Sequence, residues 1–224
     1  MNLLLAVPTY GPVEPEASRH LRVAMMHAAN HGGVHWVGDV SPNKVKWDAA
    51  RNAAVRLALA PDVGSLAADA ILWVDSDVVL PVDGITRLVA QQKDFITGIY
   101  LQREPPHFPL VANFDEVRKT FSWFIEFPAN VVAPIDGCGF GCVLTSLAML
   151  RALPPPWFAF EQYSEDFDFC LRARAAGYQL FVHTGVLCGH LRDPIAATFD
   201  DFKAIRDSGR LQAYLQRPVP ESAA

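Results

Sequence analysis

The sequence predicts an α/β fold, a mixed but mainly parallel sheet flanked by helices, with a small antiparallel subsheet in its second half. Two observations carry this. Strand-like and helix-like segments alternate through the first hundred residues, the order that builds a parallel sheet covered on both faces. The most apolar of these strands, Ala70-Ile71-Leu72-Trp73-Val74, runs directly into Asp75-Ser76-Asp77. Ligands of such sheets sit beyond the carboxyl ends of the strands, which is where this acidic triplet falls.

The elements follow in order. Residues 3–7 form an apolar run stopped by Pro8-Thr9-Tyr10-Gly11-Pro12, a turn signal. Residues 16–30 place Leu21, Met25 and Ala28 on one helical face before Gly32-Gly33. A second strand covers 34–37, a helix 46–59 with a Pro61 stop, and a third strand 71–74. A helix over 81–92 and a strand over 95–99 complete the first half. In the second half, 108–113, 121–127 and 131–135 read as short antiparallel strands before the glycine cluster Gly137, Gly139, Gly141. Helices are expected at 145–153, stopped by three prolines, and at 165–176, ended by Gly177. Ser164 is the N-cap of the second of these, and Glu165 and Asp166 suit its dipole. A strand at 180–182 and a helix at 198–215 follow, and 218–224 reads as a disordered tail. The expected organisation is one domain over 1–217, with a nucleotide-binding half (1–100) and an acceptor-binding half (101–217).

Composition narrows the function classes. With 224 residues, 51% of them hydrophobic, the chain can bury a sizeable core. A formal net charge of -5 supplies no global basic field for nucleic acid or an anionic membrane. No apolar run approaches the roughly 20 residues that span a bilayer. The opening Met1 to Pro8 lacks a basic n-region and reads as a strand rather than a signal peptide. Cys138, Cys142, Cys170 and Cys188 show no paired zinc spacing and read as buried free thiols in a reducing cytoplasm.

Two carboxylates at a strand end in a cleft call for a positive partner. Hard oxygen ligands suit Mg2+ or Mn2+, which bind through one or two carboxylates and fill the other positions with phosphate oxygens and water. An ordinary acidic turn is the alternative, since Asp and Ser are common turn formers.

An ordered series of further motifs accompanies that triplet: Val7-Pro8-Thr9-Tyr10, Ala50-Arg51-Asn52, Gly98-Ile99-Tyr100, Gly137-Cys138-Gly139-Phe140-Gly141, Ser164-Glu165-Asp166 and Gly189-His190. In this order and spacing the chain resembles the GT-A glycosyltransferases, particularly small family-2-like members from bacteria and their viruses, over about residues 3 to 191. The resemblance implies a metal-dependent, hexosyltransferase-like enzyme that uses a nucleotide-diphosphate sugar, with UDP the default, and Mn2+ or Mg2+. Thr9 and Tyr10 match the segment that meets the base and ribose. Arg51 and Asn52 match an R-N pair that reaches the nucleotide, and Gly139 sits where the backbone approaches the donor. Asp75 and Asp77 match the D-x-D motif, Asp75 toward the ribose or the metal and Asp77 on the metal, with His190 completing the metal site. Glu165 and Asp166 match an acidic pair near the acceptor, with Asp166 as the general base of an inverting transfer. The family's second strand often ends in two aspartates; here only Asp39 could grip the base. Asp168 is left out of the catalytic role, and Trp157 is the expected sugar-facing ring, with Arg103 and His107 on the acceptor side. The acceptor is a glycan, a small molecule, a protein or a modified nucleobase, and the expected location is the cytoplasm of a bacterium or phage-infected host. A retaining transferase, a nucleotidyltransferase and a non-catalytic sugar- or nucleotide-binding module stay open at this point.

Overall fold

The computed structural model describes residues 1–9, 11–43, 45–60, 67–192, 195–197, 199–209 and 211. Tyr10, the segment 212–217 and the expected tail lie outside the described residues.

A seven-stranded sheet organises the chain. Its strands in chain order are β1 (Asn2–Ala6), β2 (His35–Asp39), β3 (Ala70–Val74), β5 (Phe95–Ile99), β8 (Val132–Ile135), β10 (Cys142–Ser146) and β11 (Leu180–Leu187), and their spatial order is β2-β1-β3-β10-β5-β11-β8. The pairs β1–β2, β1–β3 and β5–β11 are parallel, while β10 and β8 run against their neighbours, so five strands point one way. Strand alternation explains the two cores. Along β1 and β3, Leu4, Ala6, Ile71 and Trp73 face one side, and Leu3, Leu5, Leu72 and Val74 the other. Helix α2 (Trp47–Leu59) closes the first face through Ala54, Val55 and Ala58. Helix α1 (Pro15–His31) closes the second through Leu21, Ala24 and Ala28, aided by the short α3 (Gly84–Val89).

Two small antiparallel sheets flank this one. The first pairs β6 (Val111–Asp115) with β7 (Thr120–Trp123) and β9 (Gly137–Cys138). The second sets β12 (Gly189–Arg192) between β4 (Val78–Val79) and β13 (Ile195–Ala197). Three further helices are α4 (Leu147–Ala152), α5 (Glu165–Ala175) and α6 (Phe199–Asp207). Among the described residues no helix is long and apolar enough to cross a membrane.

The structure corrects several expected boundaries. The helix expected over 81–92 is only α3, because Pro81-Val82-Asp83 turn first, with Gly84 N–H on the Pro81 carbonyl at 3.0 Å. Residues 142–146, expected partly as glycine loop and partly as helix, form the buried central strand β10. Ser146 then caps α4, its hydroxyl accepting the Met149 N–H at 3.0 Å, which starts that helix two residues later than expected. The strand expected at 180–182 runs on to Leu187, because β5 offers it a second stretch of pairing at Ile99.

Candidate active site

At the carboxyl ends of the parallel strands two charged clusters lie side by side. The first is built by the small β4–β12 ladder. His190 pairs opposite Val78, and the Leu191 N–H donates to the Asp77 carbonyl at 2.9 Å, so distant parts of the chain meet at Asp77. His190 Nδ1 lies 2.7 Å from the Leu101 carbonyl. A carbonyl can only accept, so Nδ1 carries the proton and Nε2 presents its lone pair. That lone pair faces Asp77 Oδ1 at 3.5 Å and accepts from Arg103 Nε at 3.1 Å. The Arg103 guanidinium also forms an ion pair with Asp77 Oδ2. Burial holds the imidazole below its ordinary pKa, and Arg103 adds to this against the Leu101 hydrogen bond.

The second cluster surrounds Arg51, a buried arginine on α2. Its guanidinium pairs with Glu165 and, at 3.2 Å, with Asp75 Oδ1, and it lies over the rings of Phe140 and Phe158 at 5.5 and 5.9 Å. Burial alone would lower its pKa, but Asp75, Glu165 and Asp166 together raise it. One guanidinium is shared among these three carboxylates, two of them from the start of α5. Burial pushes Glu165 up to about 7 despite Arg51, with Asp166 adding to the rise. Burial also raises Asp166, against the pull of Arg51 and the Ser164 hydroxyl. Ser164 is the N-cap residue of α5, but its hydroxyl donates to Asp166 Oδ1 instead of accepting a backbone N–H, and Asp166 accepts the Phe167 N–H at 2.8 Å.

Tyr100, at the end of β5, links the two clusters. Its ring stands edge-on to His190, with centroids 5.3 Å apart. Its hydroxyl accepts the Gly141 N–H at 3.1 Å, and burial, Asp75 and Asp166 raise its pKa well above the ordinary value, so it stays a neutral donor. Tyr100 also explains two of the glycines. A Cβ on Gly139 would collide with its hydroxyl, and one on Gly141 would lie 2.6 Å from its Cζ. The sequence shows Tyr100 only as the last residue of the Gly98-Ile99-Tyr100 motif, with no role attached; its place just past the end of a parallel strand was the available signal.

Other expected site residues have definite places. Asn52 uses its whole amide within the fold. Nδ2 donates to Asp48 O (2.8 Å) and Phe158 O (2.6 Å), and Oδ1 accepts from the N–H groups of Trp157 (2.9 Å) and Phe158 (3.1 Å). No polar atom of Asn52 is left for a nucleotide. Trp157 is corrected from a sugar-facing ring to a core residue: it is buried, with its indole N–H on Leu150 O at 2.8 Å. Asp168 accepts the N–H groups of Glu161, Gln162 and Tyr163 at 2.7 to 3.2 Å and so ties down the loop before α5. Arg103 belongs to Asp77 and His190, while His107 Nδ1 lies 2.9 Å from Gln102 O. Thr9 and Asp39 stand where β1 and β2 end. Thr9 N–H donates to Pro42 O at 3.2 Å, and exposed Asp39 accepts the Ser41 N–H at 2.7 Å.

Around the two clusters four carboxylates (Asp75, Asp77, Glu165, Asp166) face two guanidiniums (Arg51, Arg103). Among the described residues the surplus of carboxylates lies around Arg51, and raised pKa values at Glu165 and Asp166 reduce it, while Asp77 is paired with Arg103. Asp77 and the His190 lone pair are the donors that fit a divalent cation, and the Leu101 bond fixes the imidazole in the ligating tautomer. Asp75 instead turns to Arg51. Among the described residues no group of three or more His, Cys, Asp or Glu gathers as a metal cage. A two-donor set is the arrangement used by ions that arrive with phosphate oxygens and water.

No family model matches the sequence. No curated protein matches it either. Solved structures do. The crystal structure of A197 from STIV superposes with a TM-score of 0.62 at 16% identity, covering 90% of this chain and 92% of that one. GalNAc-T7, solved with UDP, GalNAc and Mn2+, superposes with a TM-score of 0.50 at 10% identity over 92% of this chain. The chain spans only 47% of the GalNAc-T7 structure. The architecture these similarities share with the present chain is the GT-A fold.

Proposed function

We propose that this protein is a metal-dependent glycosyltransferase that moves a sugar from a nucleotide-diphosphate sugar to an acceptor hydroxyl with inversion. The observation that carries the reading is the convergence of Asp77 with His190, and of Arg51 with Asp75 and the Glu165-Asp166 pair, beyond the carboxyl ends of one parallel sheet. GalNAc-T7, of the same fold, holds UDP, GalNAc and Mn2+, which supports a nucleotide-sugar donor.

Asp77 and His190 would hold the divalent ion, which when bound supplies positive charge to the leaving diphosphate. Thr9 and Asp39, at the ends of β1 and β2, would face the nucleoside, with Asp75 toward its ribose. Asp166 takes the proton from the acceptor hydroxyl while that oxygen forms its bond to the anomeric carbon. The bond from that carbon to the diphosphate oxygen breaks, and the nucleoside diphosphate leaves with the electron pair. A raised pKa makes Asp166 a stronger base than an exposed aspartate. Glu165 keeps Arg51 in place beside it. We place the reaction in the cytoplasm, in keeping with four buried free thiols.

The test is calorimetric titration of UDP, GDP and CMP with and without Mn2+, on wild type and Asp77→Asn. Manganese-dependent binding of one nucleotide, lost in the variant, supports the donor site; no nucleotide binding under any condition overturns it. With the donor known, Asp166→Asn should keep nucleotide affinity and lower kcat by roughly 10²- to 10⁴-fold. Unchanged turnover in that variant would remove Asp166 from the base role.

A further inference from the structure

Arg103 comes from the excursion between Leu101 and Pro109, whose base is closed by a bridge between those two residues. Its side chain is 54% exposed, yet its head group touches both donors of the cation site: Nη2 pairs with Asp77, and Nε donates to the His190 lone pair at 3.1 Å. These are the two electron-pair donors a divalent ion would need. A guanidinium and a metal ion cannot share them, because both are cations seeking the same oxygen and nitrogen.

We propose that Arg103 holds the cation position of the ligand-free protein, and that a divalent ion binds by displacing it. The inference rests on the reading of Asp77 and His190 as the metal donors. A free aquo ion that displaced Arg103 would leave the guanidinium beside a new double positive charge and without the Asp77 carboxylate it now pairs with. An ion arriving on a diphosphate brings an anion with it, and guanidinium matches phosphate oxygens in a bidentate fork. Arg103 thereby selects the metal–diphosphate complex over the free ion as the species the site accepts. Its half-exposed stem lets it swing toward solvent without disturbing the core.

The experiment measures two affinities in wild type, Arg103→Gln and Arg103→Lys, each first checked for an unchanged far-UV spectrum. Mn2+ alone is followed through the paramagnetic resonance signal of the free aquo ion. The nucleoside diphosphate that the wild type binds is then titrated at saturating Mn2+. Removing the charge should tighten Mn2+ alone by roughly fivefold, the scale of a partly exposed ion pair, and weaken the diphosphate by a similar factor. Lysine, which keeps the charge, should leave the Mn2+ affinity near wild type. Opposite signs in the two arms distinguish this role from general damage, which would weaken both. Mn2+ affinity in Arg103→Gln equal to or below wild type overturns the proposal while leaving the metal site standing. Absence of Mn2+ binding in every variant overturns both. Mn2+ binding that tightens in Arg103→Gln, with no nucleotide bound by any form, supports the displacement and overturns both the donor reading and the selection of a metal–diphosphate complex.

Discussion

Glu165 shows how one residue's ionisation depends on what surrounds it. Its carboxyl is buried against Arg51 but shares that cation with Asp75 and Asp166, and its pKa rises from 4.5 to about 7. The folded chain therefore holds a proton on Glu165 that the unfolded chain gives up at lower pH. The contribution to stability is fully present below about 4.5 and is lost as pH rises through about 7. Gln mimics the protonated form at every pH. The stability of wild type minus that of Glu165→Gln, from urea denaturation of the metal-free protein at constant ionic strength, should fall between about pH 5 and about pH 8. Taking the difference removes His183 and His190, whose burial depresses their pKa values and acts in the opposite sense. A flat or rising difference would show that Arg51 fully compensates Glu165.

At the scale of elements, the β4–β12 ladder brings Asp77 to His190, while side chains tie down the loops around Arg51. Asn52 on α2 clamps Trp157 and Phe158, and Asp168 on α5 gathers three N–H groups from 161–163. Asn52→Ala leaves buried backbone groups without partners and should cost about 2–4 kcal/mol in denaturant unfolding, since each such group loses about 1–3. A loss under 0.5 kcal/mol would mean that water substitutes for the amide. The same elements mark what could be read from sequence. The strand at 70–74, its acidic end and the two large helices were legible, because apolar period and terminators are local signals. β10 was not, because Cys142 to Ser146 is five residues between a glycine cluster and a helix, and its strand character comes from neighbours far away in the chain. Asp77 and His190 were expected to meet, and they do; Arg103 between them was not expected. Nothing in the spacing says which arginine will reach a given carboxylate, since ion-pair partners are set by the loop's path.

Across the whole molecule, the two expected halves share one sheet. β10, from the second half, lies between β3 and β5 of the first and is hydrogen-bonded to both. A fragment of residues 1–100 would expose the facing edges of β3 and β5 and lose most of the core on the α2 side of the sheet. It should show no cooperative unfolding transition by circular dichroism, and a sigmoidal melt would mean that the first half is an independent unit.

The position of β10 also bears on how the protein is made. As the chain leaves the ribosome, β3 and β5 emerge long before the strand that joins them, and they wait with unpaired edges of the kind that invite association with other chains. The Asp75 N–H finds its acceptor on Gly141 only when that strand arrives. A nascent chain interrupted before Cys142–Ser146 thus has the acidic motif but no frame to hold it.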